Sequence, residues 1–219
     1  MRQLHELLHA DIEPLSLHHT VAEALEWFND FPYSHLPIVD EGVFLGNIAR
    51  EDAETLNENE PINNHRYLLH GFFVRDHFNW LDVLEELAKN EANVVPVLQD
   101  DQQFVGCYLL EEVVQLLAET PFLKETGGII VVEKSIKDYS MGQITQIIES
   151  NNGRILGAFV SHIGTENIQV TLKLTLGPMN DILQAFRRYN YEVVSEHHED
   201  SYLENLKERS AYLAKFLDI

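Results

Sequence analysis

His5-Glu6-Leu7-Leu8-His9 has the H-E-x-x-H spacing that, on a helix, puts two imidazoles one turn apart to hold zinc, with the glutamate as general base. That chemistry also needs a third ligand and a substrate-binding scaffold, and the chain downstream is committed to other architecture. Zinc hydrolysis through His5, Glu6 and His9 is the least favoured reading, and no metal ligand is assigned. His18-His19, His65, His70, His77 and His197-His198 share no ligand spacing with a cysteine or a carboxylate pair and read as solvated. No P-loop, dinucleotide fingerprint or serine elbow occurs, so no catalytic residue is assigned and the chain reads as non-enzymatic. A second pattern is more promising because it occurs twice: Gly46-Asn47-Ile48-Ala49-Arg50-Glu51-Asp52 and Gly106-Cys107-Tyr108-Leu109-Leu110-Glu111-Glu112. Each places a carboxylate at the start of an expected helix, where it can accept hydrogen bonds from a diol or simply stabilise the N-terminal dipole.

The elements around those carboxylates are duplicated as well, and a repeat dictates architecture. Pro37 aligns with Pro96, Ile38 with Val97, Phe44 with Phe104 and Gly46 with Gly106; the offset grows from 59 to 60 through one extra residue in the hairpin turn. Upstream, Thr20 to Phe28 falls on Asn79 to Leu87 and Leu15 on Val74. Val21, Ala24, Leu25 and Phe28 recur at the spacing of one buried helical stripe, and Leu81, Leu84, Leu87 and Ala88 are expected to do the same. Each copy therefore predicts strand, helix, strand, strand, helix.

This duplicated unit resembles a tandem pair of CBS domains, regulatory modules named after cystathionine beta-synthase; the resemblance covers about residues 1 to 120. It divides the region into a first repeat at 1–60 and a second at 61–122. It implies a cleft that binds an adenosine-type ligand such as AMP, ADP, ATP or S-adenosylmethionine as a regulatory effector, with no cofactor required. It further implies that a Thr or Ser three residues before the carboxylate helps to hold phosphate. Ala49 and Leu109 occupy that position here, forfeiting a side-chain cap worth about 1 kcal/mol. Asp52 remains and Glu112 replaces its partner. The implied cleft comprises Ile12, Pro14, His35, Leu36, Pro37, Arg50, Asp52, Arg75 and Glu112, with Arg50 as a compensating cation. The second copy looks degenerate.

Beyond Pro121 the pattern changes. Gly127-Gly128 introduces a strand, Ile144, Ile147 and Ile148 mark a helix stopped at Asn152-Gly153, and two strands follow. The second alternates Ile168, Val170, Leu172, Leu174 and Leu176 against Gln169, Thr171, Lys173 and Thr175. A helix with Met179, Ile182, Leu183 and Phe186 and a last strand complete a β-α-β-β-α-β order over 126–198, the ferredoxin-like plan. This segment resembles an ACT domain, an amino-acid-sensing module, which would put Asp138, Ser140 and Gly142 at the edge of an effector pocket. Residues 199–219 predict an amphipathic helix behind a capping box at Ser201. The expected fold class is thus α/β in the broad sense (α+β), and the whole chain resembles acetoin-utilisation-type CBS–ACT regulatory proteins, a bacterial arrangement.

Composition narrows the role. A formal charge of −21 repels phosphate backbones and anionic headgroups, so neither nucleic acid nor membrane is an expected partner. The lone Cys107 can form no internal disulfide, and no apolar run is long enough to span a membrane, which together suggest the cytoplasm. The expected protein is a homodimeric sensor that answers a small-molecule effector and acts on a regulated enzyme or transporter. A partner-binding adaptor with degenerate pockets is the alternative.

Overall fold

The computed structural model describes residues 3–197; the expected helix at 199–219 lies outside the described residues. The chain divides into two compact units that meet between Glu119 and Thr120.

In the first unit, α1 (Val21–Asp30), β1 (His35–Asp40), β2 (Val43–Ala49) and α2 (Arg50–Ala53) make up one copy. The second copy consists of β3 (Val74–Arg75), α3 (Trp80–Lys89), β4 (Val94–Leu98), β5 (Phe104–Leu109) and α4 (Leu110–Ala118). Equivalent residues do equivalent things. Thr20 caps α1 in a capping box with Glu23, and Asn79 caps α3 in a box with Asp82. The β1–β2 ladder shifts register between Ile38 and Val39, and the β4–β5 ladder between Val97 and Leu98. A parallel pairing joins Leu15 to Ile38 in one copy and Val74 to Val97 in the other.

The contacts between the copies are reciprocal, which is the mark of an internal two-fold. The Ser34 amide donates to Asn93 Oδ1 (2.8 Å) while the Asn93 amide donates to Ser34 Oγ (3.0 Å). Phe44 N–H donates to the Gln102 carbonyl and Phe104 N–H to the Gly42 carbonyl, both at 3.0 Å. The segment leading into each copy crosses to the other: Leu7 packs in the core with Val74, Leu87 and Val97, while Ile62 packs with Leu15, Phe28 and Ile38.

Two periodicity expectations need correction. In α3 the buried stripe is Val83 and Leu87; Leu81 is 58% exposed, because the helix begins at Trp80 and its phase turns Leu81 to solvent. Copy one's second helix is a single turn, Arg50–Ala53, where the duplication predicts one as long as α4.

The second unit runs α5 (Pro121–Lys124), β6 (Gly127–Ser135), α6 (Met141–Ser150), β7 (Ile155–Ile163), β8 (Asn167–Thr175), α7 (Met179–Arg188) and β9 (Glu192–His197). Its sheet has the order β7-β8-β6-β9 with every neighbouring pair antiparallel. Ile130, Val132, Val170, Leu172 and Leu174 meet Ile144, Ile148, Ile182 and Phe186 from the two helices in one core. Leu176 falls beyond the end of β8 and is 48% exposed, so the apolar alternation expected to include it stops at Leu174.

Candidate functional site

Both copies hold their carboxylate at the start of the helix that follows the hairpin, and both present it to a histidine from a leading segment. Gly46 and Gly106, at φ +149° and +148°, let the leading segments approach the hairpins. Asn47 and His70 exchange two backbone hydrogen bonds of 2.8 Å; His9 and Cys107 do the same at 3.0 and 3.1 Å. These bridges set His70 Nε2 3.1 Å from Asp52 Oδ2 and His9 Nε2 2.7 Å from Glu112 Oε2. His65 departs from the expectation of solvated histidines, whereas His70 is exposed as expected but not without a partner. His70 pairs with Asp52, and His65 is buried (8% exposed) with Nε2 3.0 Å from Glu60 Oε2.

Two clefts flank this arrangement and occupy equivalent places in the two copies. Cleft one, about 550 Å³, is lined by Ser34, His35, Ala49, Arg50, Glu51, Glu54, His70, Lys89, Asn90 and Glu91. Cleft two, about 210 Å³, is lined by Pro32, Tyr33, Asn93, Leu109, Leu110 and Glu111. Asn93, Leu109, Leu110 and Glu111 are the repeat mates of Ser34, Ala49, Arg50 and Glu51. The substitutions of Ala49 and Arg50 by Leu109 and Leu110 fill the second cleft with apolar bulk and leave the first roomier and polar.

His35 is 6% exposed and donates or accepts at Nδ1 with Ser34 Oγ at 2.9 Å. Burial, reinforced by the neighbouring His70 and opposed by Asp52, lowers its pKa to about 4, so the ring is neutral at physiological pH. Arg50 lines the cleft but its guanidinium is engaged elsewhere. Nε donates to the Tyr33 carbonyl (3.1 Å), Nη2 donates to the carbonyls of Phe31 (2.7 Å) and Phe28, and the group lies over the Phe28 ring. It therefore closes the C-terminus of α1, where orphan carbonyls and the negative dipole end attract a cation.

The structure brings together His35, Arg50 and, through His70, Asp52. It does not bring the other expected residues to this cleft's lining. Leu36 and Pro37 are buried strand residues, Ile12 packs with Val94 and Cys107, and Pro14 is half-buried. Arg75 donates to the Gln99 carbonyl over the Phe73 ring, and Glu112 belongs to the second copy's pair with His9. His70, Glu54 and the Lys89–Glu91 turn escaped sequence reasoning. The signal for His70 was present: it sits 61 residues after His9 just as Glu112 sits 60 after Asp52. Cys107 is fully buried, and burial pushes its thiol pKa up.

The H-E-x-x-H pattern does not adopt zinc-binding geometry. Leu4–Leu7 form a 3-10 turn, Leu8 is extended, and His9 is already in its bridge to Cys107, so His5 and His9 do not share a helical face. Among the described residues no group of three or more His, Cys, Asp or Glu side chains is placed to hold a metal ion, and no helix is long and apolar enough to cross a membrane. In the second unit, Asp138 and Ser140 lie exposed on the β6–α6 turn and Gly142 is exposed in the first turn of α6, which Ser140 caps by accepting from Gln143 N–H.

No family model matches the chain, and no curated protein matches it. Solved structures do. A CBS domain pair/ACT domain protein from Thermotoga maritima is 20% identical over 54% of this chain and 98% of its own, with a TM-score of 0.48. The cystathionine beta-synthase pair domain of a putative Mg2+ transporter from Shewanella oneidensis is 24% identical over 54% of this chain and 71% of its own, with a TM-score of 0.48. CBSX2, solved in complex with AMP, is 17% identical over 54% and 98%, with a TM-score of 0.46. Residues 3–119 are built as two in-register copies of one strand–helix–hairpin–helix unit about an internal two-fold, and CBS domain pairs are among the solved structures to which the chain is similar.

Proposed function

We propose that this chain is a cytoplasmic, non-enzymatic regulatory sensor whose cleft one takes an adenosine-type ligand. The observation that carries this reading is the inequality of two equivalent clefts: one is spacious, polar and has Asp52 beside it, the other small and apolar. Asp52 would accept from the ribose hydroxyls, a role that requires it to exchange its contact with His70. His70 lies on the segment that crosses between copies, so a ligand that takes Asp52 alters the tie between that segment and copy one. Such a ligand biases the protein toward the arrangement it binds better, and an enzyme or transporter contacting the pair would register the change. The alternative is an adaptor whose pockets have lost their ligand, a reading favoured by Ala49, Leu109 and the engagement of Arg50. Thermal shift across adenosine, AMP, ADP, ATP, S-adenosylmethionine and amino acids separates the two. A sensor gives stabilisation that rises with ligand concentration and disappears in Asp52→Ala; a flat response in both proteins leaves the adaptor. An amino acid that still stabilises Asp52→Ala would point to the second unit, with Asp138, Ser140 and Gly142 as the proposed effector edge.

The same reading includes a homodimer, and β7 supports it. Its nine residues, Ile155–Ile163, contain no Asp, Glu, Lys or Arg, and among the described residues it pairs only with β8. Val160 and Ile163 are 38% and 67% exposed along it. An uncharged edge on a chain of charge −21 is where a second copy could add its own β7 with the least repulsion. Sedimentation equilibrium is expected to show a dimer for the natural protein and a monomer for Val160→Lys/Ile163→Lys. A monomeric natural protein would refute the arrangement.

A further inference from the structure

The ligand class follows from what surrounds cleft one, and the inference rests on the reading of that cleft as a small-molecule site. Glu51, Glu54 and Glu91 line it and are exposed, so their carboxylates face a ligand across little intervening protein. Asp52 adds a fourth carboxylate behind His70. The cations do not balance them. Arg50 spends its guanidinium on three backbone carbonyls and the Phe28 ring. Lys89 is 69% exposed, with Nζ 4.0 Å from Glu86 Oε1. His35 is buried and neutral, with one ring nitrogen held by Ser34 and the other making no hydrogen bond among the described residues, so it offers the cleft a polar atom without a charge.

The donors that would hold a phosphate are missing too. Ala49 has no hydroxyl, and α2, at four residues, has too few aligned peptides to present a useful positive end. Its first turn already carries two carboxylates, Glu51 and Asp52. A phosphate ester in this cleft would meet at least three negative charges and no free guanidinium.

We propose that cleft one selects a neutral or cationic, phosphate-free nucleoside-sized ligand and rejects the corresponding phosphate esters. Charge, not shape, sets the discrimination, because adenosine and its phosphates share base and ribose.

Isothermal titration of the full chain with adenosine, AMP, ATP and the sulfonium S-adenosylmethionine tests this. Adenosine is expected to bind at least about tenfold more tightly than AMP at low ionic strength, with ATP weaker still and the sulfonium no weaker than adenosine. Added salt should narrow the gap, since exposed carboxylates are screened over roughly 10 Å at 0.1 M. The triple variant Glu51→Gln/Glu54→Gln/Glu91→Gln alters only exposed side chains and is expected to bring AMP to within a few-fold of adenosine. AMP or ATP binding as tightly as adenosine to the natural protein would overturn the charge selection while leaving the cleft a ligand site. Failure of all four to bind would overturn the adenosine reading and the selection with it.

Discussion

Replacing Gly106 by alanine is expected to destabilise the first unit by about 3 kcal/mol, and more than the same change at Gly46. At φ +148° the new side chain sits in a backbone region that costs an L-residue about 1–2 kcal/mol. An ideal Cβ at Gly106 would also stand 2.6 Å from the His9 carbonyl oxygen and 3.1 Å from Leu8 Cδ1, so the leading segment must withdraw. Withdrawal breaks the two His9–Cys107 backbone hydrogen bonds and separates His9 from Glu112, adding about 1 kcal/mol for each bond lost. Gly46 has nearly the same φ, and its Cβ would stand 2.8 Å from Leu69 Cβ, which the backbone fixes, and 3.3 Å from the His70 carbonyl, a collision that also moves the leading segment but is less close than the one at Gly106. The two variants share the conformational strain and differ in how closely the new Cβ meets the leading segment, which is tighter at Gly106. Urea unfolding of both would measure this; equal losses would mean that the leading segment does not rest on Gly106 as described.

The second large effect is on pH. His35 keeps a neutral ring in the fold down to about pH 4, whereas in the unfolded chain it protonates near 6.5. Between those values the unfolded state binds more protons, so the stability His35 contributes is present above 6.5 and is lost as pH falls through the window. Between pH 7 and pH 5 the loss is about 2 kcal/mol, before most carboxylates begin to titrate. The groups that face the ring are Ser34 Oγ, the His70 imidazole, the Phe72 ring and the Asp52 carboxylate. His35→Gln retains a polar group for Ser34 without the titration. Its stability relative to the natural protein should therefore improve by about 2 kcal/mol on going from pH 7 to pH 5. Parallel pH profiles for the two proteins would show that His35 is not held neutral.

Much of the fold was legible because it is written twice. The alignment of Pro37 with Pro96 and Gly46 with Gly106 predicted two equivalent hairpins, and even their register shifts recur at equivalent residues. Helix starts were legible where a cap marks them, at Thr20 and Asn79, since N-cap chemistry is local. Helix phase and length were less so. Leu81 and Leu176 look apolar enough to be core, but burial depends on where an element begins and ends, and neighbouring elements decide that. The site divided in the same way. His35, Arg50 and Asp52 came from the repeat and the resemblance to CBS domains. His70 and Glu91 came only from the fold, because they reach the cleft from segments 18 and 39 residues beyond Asp52 along the chain; Glu54, at the C-cap of the short helix that carries Asp52, was local but unmarked by any motif.

By itself the amino-acid sequence determined a duplicated first unit, a β-α-β-β-α-β second unit and an acidic surface, because periodicity, capping and charge are properties of neighbouring residues. Only the tertiary structure decided that each leading segment crosses to the other copy, that Arg50 closes a helix instead of facing a ligand, and that the two clefts differ in size and polarity. Those outcomes depend on which partners a side chain meets across the two-fold, and a long arginine or an imidazole takes whichever carbonyl or carboxylate the packing brings within about 3 Å.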